Sequence, residues 1–369
     1  MSGGGFRATF AALGTVRYLA DAGLLSAVRY SSSVSGGSIA NGLLACHWAA
    51  LRQAGFSVDA VDRLLVDPIV GQVSKRSLKR ALVLRAWRVV GSDNRTDLLA
   101  QQMDRWFFHG KLLESMDPEV RFVINAANVV TGVRFTFERD VVGDYVIGLA
   151  STSGTGLRLA QAAAASAAVP GAFAAWPVRD IAFPCARETP KLLDGGVYDN
   201  TGLEVLDGDS YADVFTVTMN AGGLLRPGSY GKLPLIRDLS RANALLYRQS
   251  TGLRTRMMVA AFLRGRTAQA GAPLPPGARR GVLVALASDF GDENDALAAF
   301  RAAFEEARTW KGEDLAYVPT VFDRLDEALC RRLVYRGWWL TGAAMAAYQP
   351  ELAPPPEALR PPPLPPDRS

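Results

Sequence analysis

Residues 33–38 read Ser33-Val34-Ser35-Gly36-Gly37-Ser38, between a short β-like run and a long helical one. A strand that gives way to a helix this abruptly must turn sharply. Small residues are then needed two before and two after the turning serine, or side chains collide. Gly37 meets the second demand. Ser33 stands where glycine is usual, so the G-x-S-x-G pattern of a nucleophile elbow is one residue short. Alone, such a serine is more often a loop or cap residue than a nucleophile, and Ser38 reads best as a helix N-cap. If Ser35 is a nucleophile, the rest of the chain must supply a base and an oxyanion site.

Around this turn the apolar spacing predicts helices over 6–24 and 38–53 and a short strand over 26–34. Residues 57–119 read as mainly helical, a cap or insertion. Strands are expected over 121–127, 133–138, 214–219 and 281–287. Helices are expected over 156–169, from about 220 to 265, and over 293–309 and 320–347. Strands alternating with helices predict an α/β fold whose sheet is covered on both faces. The 49% apolar and 21% charged residues support a packed core over 1–348. Residues 349–369 are proline-dominated and are expected to be an extended, disordered tail.

The net charge of +5 is too small to argue for nucleic acid and is compatible with attraction to anionic lipid. Cys46, Cys185 and Cys330 lie far apart, so neither a disulfide framework nor a zinc site is expected. His47 and His109 are too isolated for a histidine metal site. No cofactor is expected. No run of 18 apolar residues suggests a spanning helix, and the first motif begins at residue 2 with no signal peptide before it. The expected setting is cytoplasmic with peripheral membrane association.

Two further segments carry chemistry. Ser2-Gly3-Gly4-Gly5-Phe6-Arg7 opens the first helix. Consecutive glycines let bare amides face one point, and the helix dipole adds positive potential. That suits a phosphate or a developing oxyanion; a glycine-rich turn with no ligand is the plain alternative. The spacing is neither a P-loop nor a dinucleotide fingerprint. Lys191-Leu192-Leu193-Asp194-Gly195-Gly196 places an aspartate at a strand end, which alone is commonly an Asx turn.

Together, Gly3-Gly4-Gly5-Phe6-Arg7, Val34-Ser35-Gly36-Gly37-Ser38 and Asp194-Gly195-Gly196-Val197-Tyr198-Asp199-Asn200 resemble the patatin-like phospholipase family, with a flavour of cytosolic phospholipase A2. Ala165–Phe173 and Pro319-Thr320-Val321-Phe322 extend the resemblance over roughly residues 2–347. The resemblance implies a three-layer α/β/α fold with a mostly parallel central sheet. It implies a lipid acyl hydrolase of phospholipase A or lysophospholipase type, working through a Ser–Asp dyad and an acyl-enzyme. Ser35 would be the nucleophile and Asp194 the base. Gly4 and Gly5, with Gly3, would hold the oxyanion, and Arg7 would support the anionic site or the substrate phosphate.

The histidines favour a dyad independently. His47 follows Ser35 by 12 residues on the same helix, about 18 Å along the axis. His109 is not placed by spacing, and a structural role among Trp106, Phe107 and Phe108 is the simpler reading. An aspartate base has a cost: an exposed one titrates near ~3.9. Asp194 would need burial or tight contact with Ser35 to act near neutrality.

Residues 74–88 carry six basic and no acidic side chains among Leu, Val and Trp, which suits a helix at an anionic lipid surface or simply a solvated face. Residues 248–266 form a weaker second candidate, where a core helix with solvated ends is the simpler reading. One departure matters. Family members carry an apolar strand directly before the glycine run, and here Met1 precedes Ser2. A truncated start is one explanation and a degraded homologue the other. A non-catalytic lipid-binding or scaffold protein therefore stands as the alternative function.

Overall fold

The computed structural model of the chain describes residues 1–83, 94–208, 211, 213–224, 234–266, 273–291 and 294–365. Helix α1 (Gly5–Asp21) is buried along nearly its whole length. Strand β1 (Tyr30–Val34) follows and turns at Ser35 into α2 (Gly36–Gln53). Helices α3 (Asp67–Lys75), α4 (Leu78–Val83) and α5 (Arg95–Met103) lie within the expected helical insertion. It shares the main core: Val61, Leu65, Ile69, Val73, Leu99 and Met103 pack in one cluster with Leu44 and Trp48 of α2. The expected basic helix over 74–88 is interrupted, because Arg76 is extended (φ −131°, ψ 142°) and ends α3. Residues 84–88 lie outside the described residues.

The seven-stranded sheet contains β1, β2 (Arg121–Asn128), β3 (Val133–Phe137), β4 (Val141–Asp144), β5 (Gly148–Ser151), β6 (Trp176–Pro177) and β7 (Lys191–Asp194). Here the expectation of a mostly parallel sheet is corrected. Only β1 and β2 pair parallel; β2–β3, β3–β4, β4–β5, β2–β7 and β6–β7 are antiparallel. The reason lies in the connections. Parallel neighbours need a helical crossover, and α2 with the insertion supplies one between β1 and β2. From β2 to β5 the strands are joined by turns of only three or four residues, which force antiparallel pairing.

Helix α6 (Leu159–Ser166) lies between β5 and β6 in the chain and packs in the main core. A second parallel pair, β8 (Thr216–Asn220) and β9 (Gly281–Ala285), is connected through the long helix α7 (Pro234–Arg266). Helices α8 (Asp295–Ala303) and α9 (Glu327–Tyr348) complete a second core around Trp338, Trp339 and Phe300.

Met1 and Ser2 stand between the two parallel pairs. The Met1 amino group donates to Ser32 O (2.9 Å) and Val34 N donates to Met1 O (3.1 Å). Ser2 N donates to Met219 O (3.0 Å), and Ala221 N to the Ser2 hydroxyl (2.7 Å). The glycine run is thus tied to β1 on one side and to β8 on the other. Beside this tie, Tyr30–Ser32 and Thr216–Met219 border a largely apolar cavity of about 370 Å³.

The proline-dominated end is described over residues 349–365, and 366–369 lie outside the described residues. Residues 349–365 take no regular element beyond one short turn, yet Leu359 is buried in the second core. Arg360 N donates to Asp21, and its guanidinium pairs with Asp59 (2.9 Å). Proline restricts the unfolded chain, so fixing such a segment costs less entropy than its lack of regular structure suggests.

Candidate active site

Strands β1 and β7 run toward each other along one edge of β2. Val34 is paired with Asn125, and Asp194 with the next residue, Ala126. Residues leaving the two strand ends therefore converge at one point, and Ser35 and Asp194 meet there.

Ser35 has φ 51° and ψ −121°. For a residue with a Cβ this backbone costs about 1–3 kcal/mol and persists only where the surroundings fix it. They do so on both sides: Ser35 N donates to Ser166 Oγ (2.9 Å), and Ser35 O accepts from Ser38 N (2.8 Å). Ser33, the residue that breaks the glycine pattern, fits because its hydroxyl is absorbed. It donates to Val123 O (3.2 Å) and accepts from Asn41 Nδ2 (2.9 Å) and Ser38 Oγ (3.1 Å). Ser38, expected to cap α2, makes no cap hydrogen bond and spends its hydroxyl in this network.

Asp194 is buried beside the Ser35 hydroxyl. Burial pushes its pKa up to about 6; the hydrogen bond from Ser35 and one from Gly196 N (2.8 Å) draw it partly back. Its backbone is fixed by the segment that braces Ser35, since Asp194 N donates to Ala168 O (2.9 Å) and Gly195 N to Ser166 O (3.1 Å). Ser166 therefore binds the backbone of both halves of the site.

The glycine run closes the third side. Gly3 N is spent on Asn200 O (3.0 Å). The amides of Gly4 and Gly5 have no acceptor among the described residues, nor does that of Gly36 at the first position of α2. A Cβ on Gly36 would overlap the Gly5 carbonyl, and one on Gly37 would come within 2.6 Å of Met1 O and Ser2 O. These glycines let α2 and the glycine run approach backbone to backbone. Arg7 is buried, and its guanidinium donates to Ala221 O (3.0 Å), to Val318 O and to Thr320 Oγ1 (3.0 Å). Burial lowers its pKa to about 10. Its donors brace the loops beneath the glycine run.

Ser35, Asp194, Gly3, Gly4 and Arg7 share a cleft of about 750 Å³ roofed by α7. Neither histidine lines it, and nor does any described residue of 57–119. Burial, Lys111 and His109 lower the pKa of His47, so the two histidines lie near each other instead. Sequence reasoning missed three contributors. Ser166 carries no polarity signal within its alanine run, although the segment Ala165–Phe173 was recognised. Asn200, within the aspartate segment, holds Gly3. Tyr247 of α7 lies close enough for Asp194 to raise its phenol pKa further after burial, and its buried hydroxyl has no partner among the described residues. Among the described residues, no helix is long and apolar enough to cross a membrane.

A buried serine on a strained strand-to-helix turn, facing a carboxylate and unpaired amides, is the equipment of an ester hydrolase. A family model, patatin-like phospholipase, matches residues 1–207, and the chain belongs to that family. Membership implies a lipid ester hydrolase with an α/β fold. No curated protein matches the chain.

Proposed function

We propose that the protein hydrolyses carboxylic esters of membrane lipids, as a phospholipase A or lysophospholipase, through a Ser35–Asp194 dyad. The Asp194 carboxylate accepts the Ser35 proton as Oγ attacks the ester carbonyl carbon. The resulting oxyanion sits on the free amides of Gly4 and Gly5, with Gly36 beside them. Collapse of this intermediate breaks the bond to the alcohol oxygen, which takes the proton from Asp194. Water, deprotonated by Asp194, then attacks the acyl-Ser35 ester. The fatty acid leaves and Ser35 recovers its proton.

The observation that carries this reading is the end-to-end meeting of β1 and β7 on β2, with strain stored at Ser35. A carboxylate held near 6 by burial is a workable base around neutrality, where an ordinary aspartate is weak, and this supports the reading. Gly3 takes no part as an oxyanion donor in this scheme, because its amide is spent, and Arg7 acts by bracing. The substrate is reached at a lipid surface. The outward side of α7 supports this: Leu246, Leu253 and Met257 are 69%, 54% and 68% exposed. Fatty-acid release from phospholipid vesicles tests the reading. Release by the natural chain that is lost in Ser35→Ala supports it; release unchanged by Ser35→Ala contradicts it.

A further inference from the structure

The wall of the cleft opposite the glycine run is built from α7, and its residues fall into two rows at i, i+4, i+8. One row is Tyr247, Thr251 and Thr255; the other is Arg248, Gly252 and Arg256. Residues at this spacing stack along one face of a helix. All six line the cleft that holds Ser35 and Asp194.

Arg248 and Arg256 are exposed on the cleft side and make no ion pair or hydrogen bond with a described residue. Arg254, off these rows, is by contrast tied to Asp199, Glu204 and Asp207. The hydroxyl row is also under-used. Thr251 Oγ1 bonds back to Tyr247 O (2.7 Å), but the buried hydroxyls of Tyr247 and Thr255 have no partner among the described residues. Gly252 separates the two arginines inside a long helix, where glycine is unfavourable. A Cβ there would meet only Arg256 Nη1, at 3.7 Å, so close packing does not require the glycine. Its effect is to leave a notch between two cations, edged by hydroxyls.

The geometry points to a phosphate subsite in this notch, taking the phosphate of a glycerophospholipid head group while the ester lies at Ser35. This inference rests on the acyl-hydrolase reading. Planar guanidinium groups pair bidentately with phosphate oxygens, and hydroxyls complete such a shell. Asp194 is the one acidic residue among those lining the cleft, and Tyr247, next to Arg248 in the chain, lies near it. Arg7 does not compete for the phosphate, because its three nitrogens are already engaged.

The test is calorimetric titration of the full chain carrying Ser35→Ala, so that ligands are bound and not consumed. Dibutyrylphosphatidate and dibutyrylglycerol, both monomeric in solution, are the probes. Phosphatidate is expected to bind at least about tenfold more tightly than the uncharged glyceride. Adding R248Q and R256Q together should abolish that preference. Adding Gly252→Leu should reduce it with both arginines kept, and without lowering the thermal midpoint. Equal binding of the two probes, or a preference that survives R248Q/R256Q, overturns the subsite. Inorganic phosphate binding as tightly as phosphatidate would assign the notch to free phosphate and overturn the lipid assignment. The titration needs no turnover. Absence of ester cleavage by the natural chain would sink the hydrolase reading and leave the subsite result standing by itself.

Discussion

Ser35 and Asp194 extend from strand ends held on consecutive residues of β2, Val34 against Asn125 and Asp194 against Ala126. Their contact is therefore set by backbone register. It does not depend on a long side chain reaching across a cleft. Ser166 reinforces it by bonding to Ser35 N, to Asn125 O (2.6 Å) and, through its carbonyl, to Gly195 N.

The pH profile should carry the signature of Asp194. As a base it must be ionised, so ester hydrolysis should fall as pH drops through about 6. A kcat/KM profile on a short soluble ester checks this, and a limb near 4 would mean that burial does not act on the base as described.

The same shift has a cost in stability, and its sign is opposite to that of a salt-bridged aspartate. With the folded pKa raised from 3.8 to about 6, the folded state holds the proton more tightly than the unfolded state. Stability from this group is present below 3.8, falls as pH rises to about 6, and stays lost above it. At one pKa unit per 1.36 kcal/mol the loss is about 3 kcal/mol at pH 8. Asp194→Asn should abolish hydrolysis yet raise stability at pH 8 by up to that amount, with the gain vanishing near pH 3.5. Urea unfolding at the two pH values measures it.

Ser166→Ala removes the acceptor for Ser35 N and the donor to Asn125 O while leaving Ser35 and Asp194 in place. Leaving buried groups unpaired costs about 1–3 kcal/mol. Activity should fall by about tenfold or more, mainly in kcat, because the turn at Ser35 loses its outer brace.

Gly36→Ala should be more damaging than its size suggests, since the added methyl overlaps the Gly5 carbonyl. Relief requires the glycine run to move off α2, at about 1–3 kcal/mol, and with it the amides of Gly4 and Gly5. The expected result is a folded protein of lowered melting temperature with little hydrolysis.

Vesicle binding should depend on the outer side of α7. Replacing exposed Leu246 and Met257 by glutamate removes apolar area and sets acids among the arginines. Sedimentation with anionic vesicles should fall by about tenfold or more, while soluble-ester hydrolysis persists.

The elbow and the aspartate were legible in the sequence because local sterics specify both: small residues around a sharp turn, and an Asp-Gly-Gly where a strand ends. Strand direction was not, since alternation marks a strand without naming its neighbour. The short links after β2, visible in retrospect around Thr131-Gly132, are what decide it. Ser33 looked like a defect because a pattern cannot show that Asn41 and Val123 absorb its hydroxyl. The roofing role of α7 is a tertiary fact: Tyr247 lies over Asp194 across more than fifty residues of chain. At the proline-rich end, composition reports the absence of regular structure and not the absence of contacts such as Leu359 in the core.

The most direct measurement is covalent labelling by a fluorophosphonate, followed by mass mapping of the modified residue in the natural chain and in Asp194→Asn. The account predicts a single adduct on Ser35, formed at least about a hundredfold more slowly when Asp194 is replaced. An adduct on another serine, or labelling of Ser35 at the same rate without the Asp194 carboxylate, would contradict it.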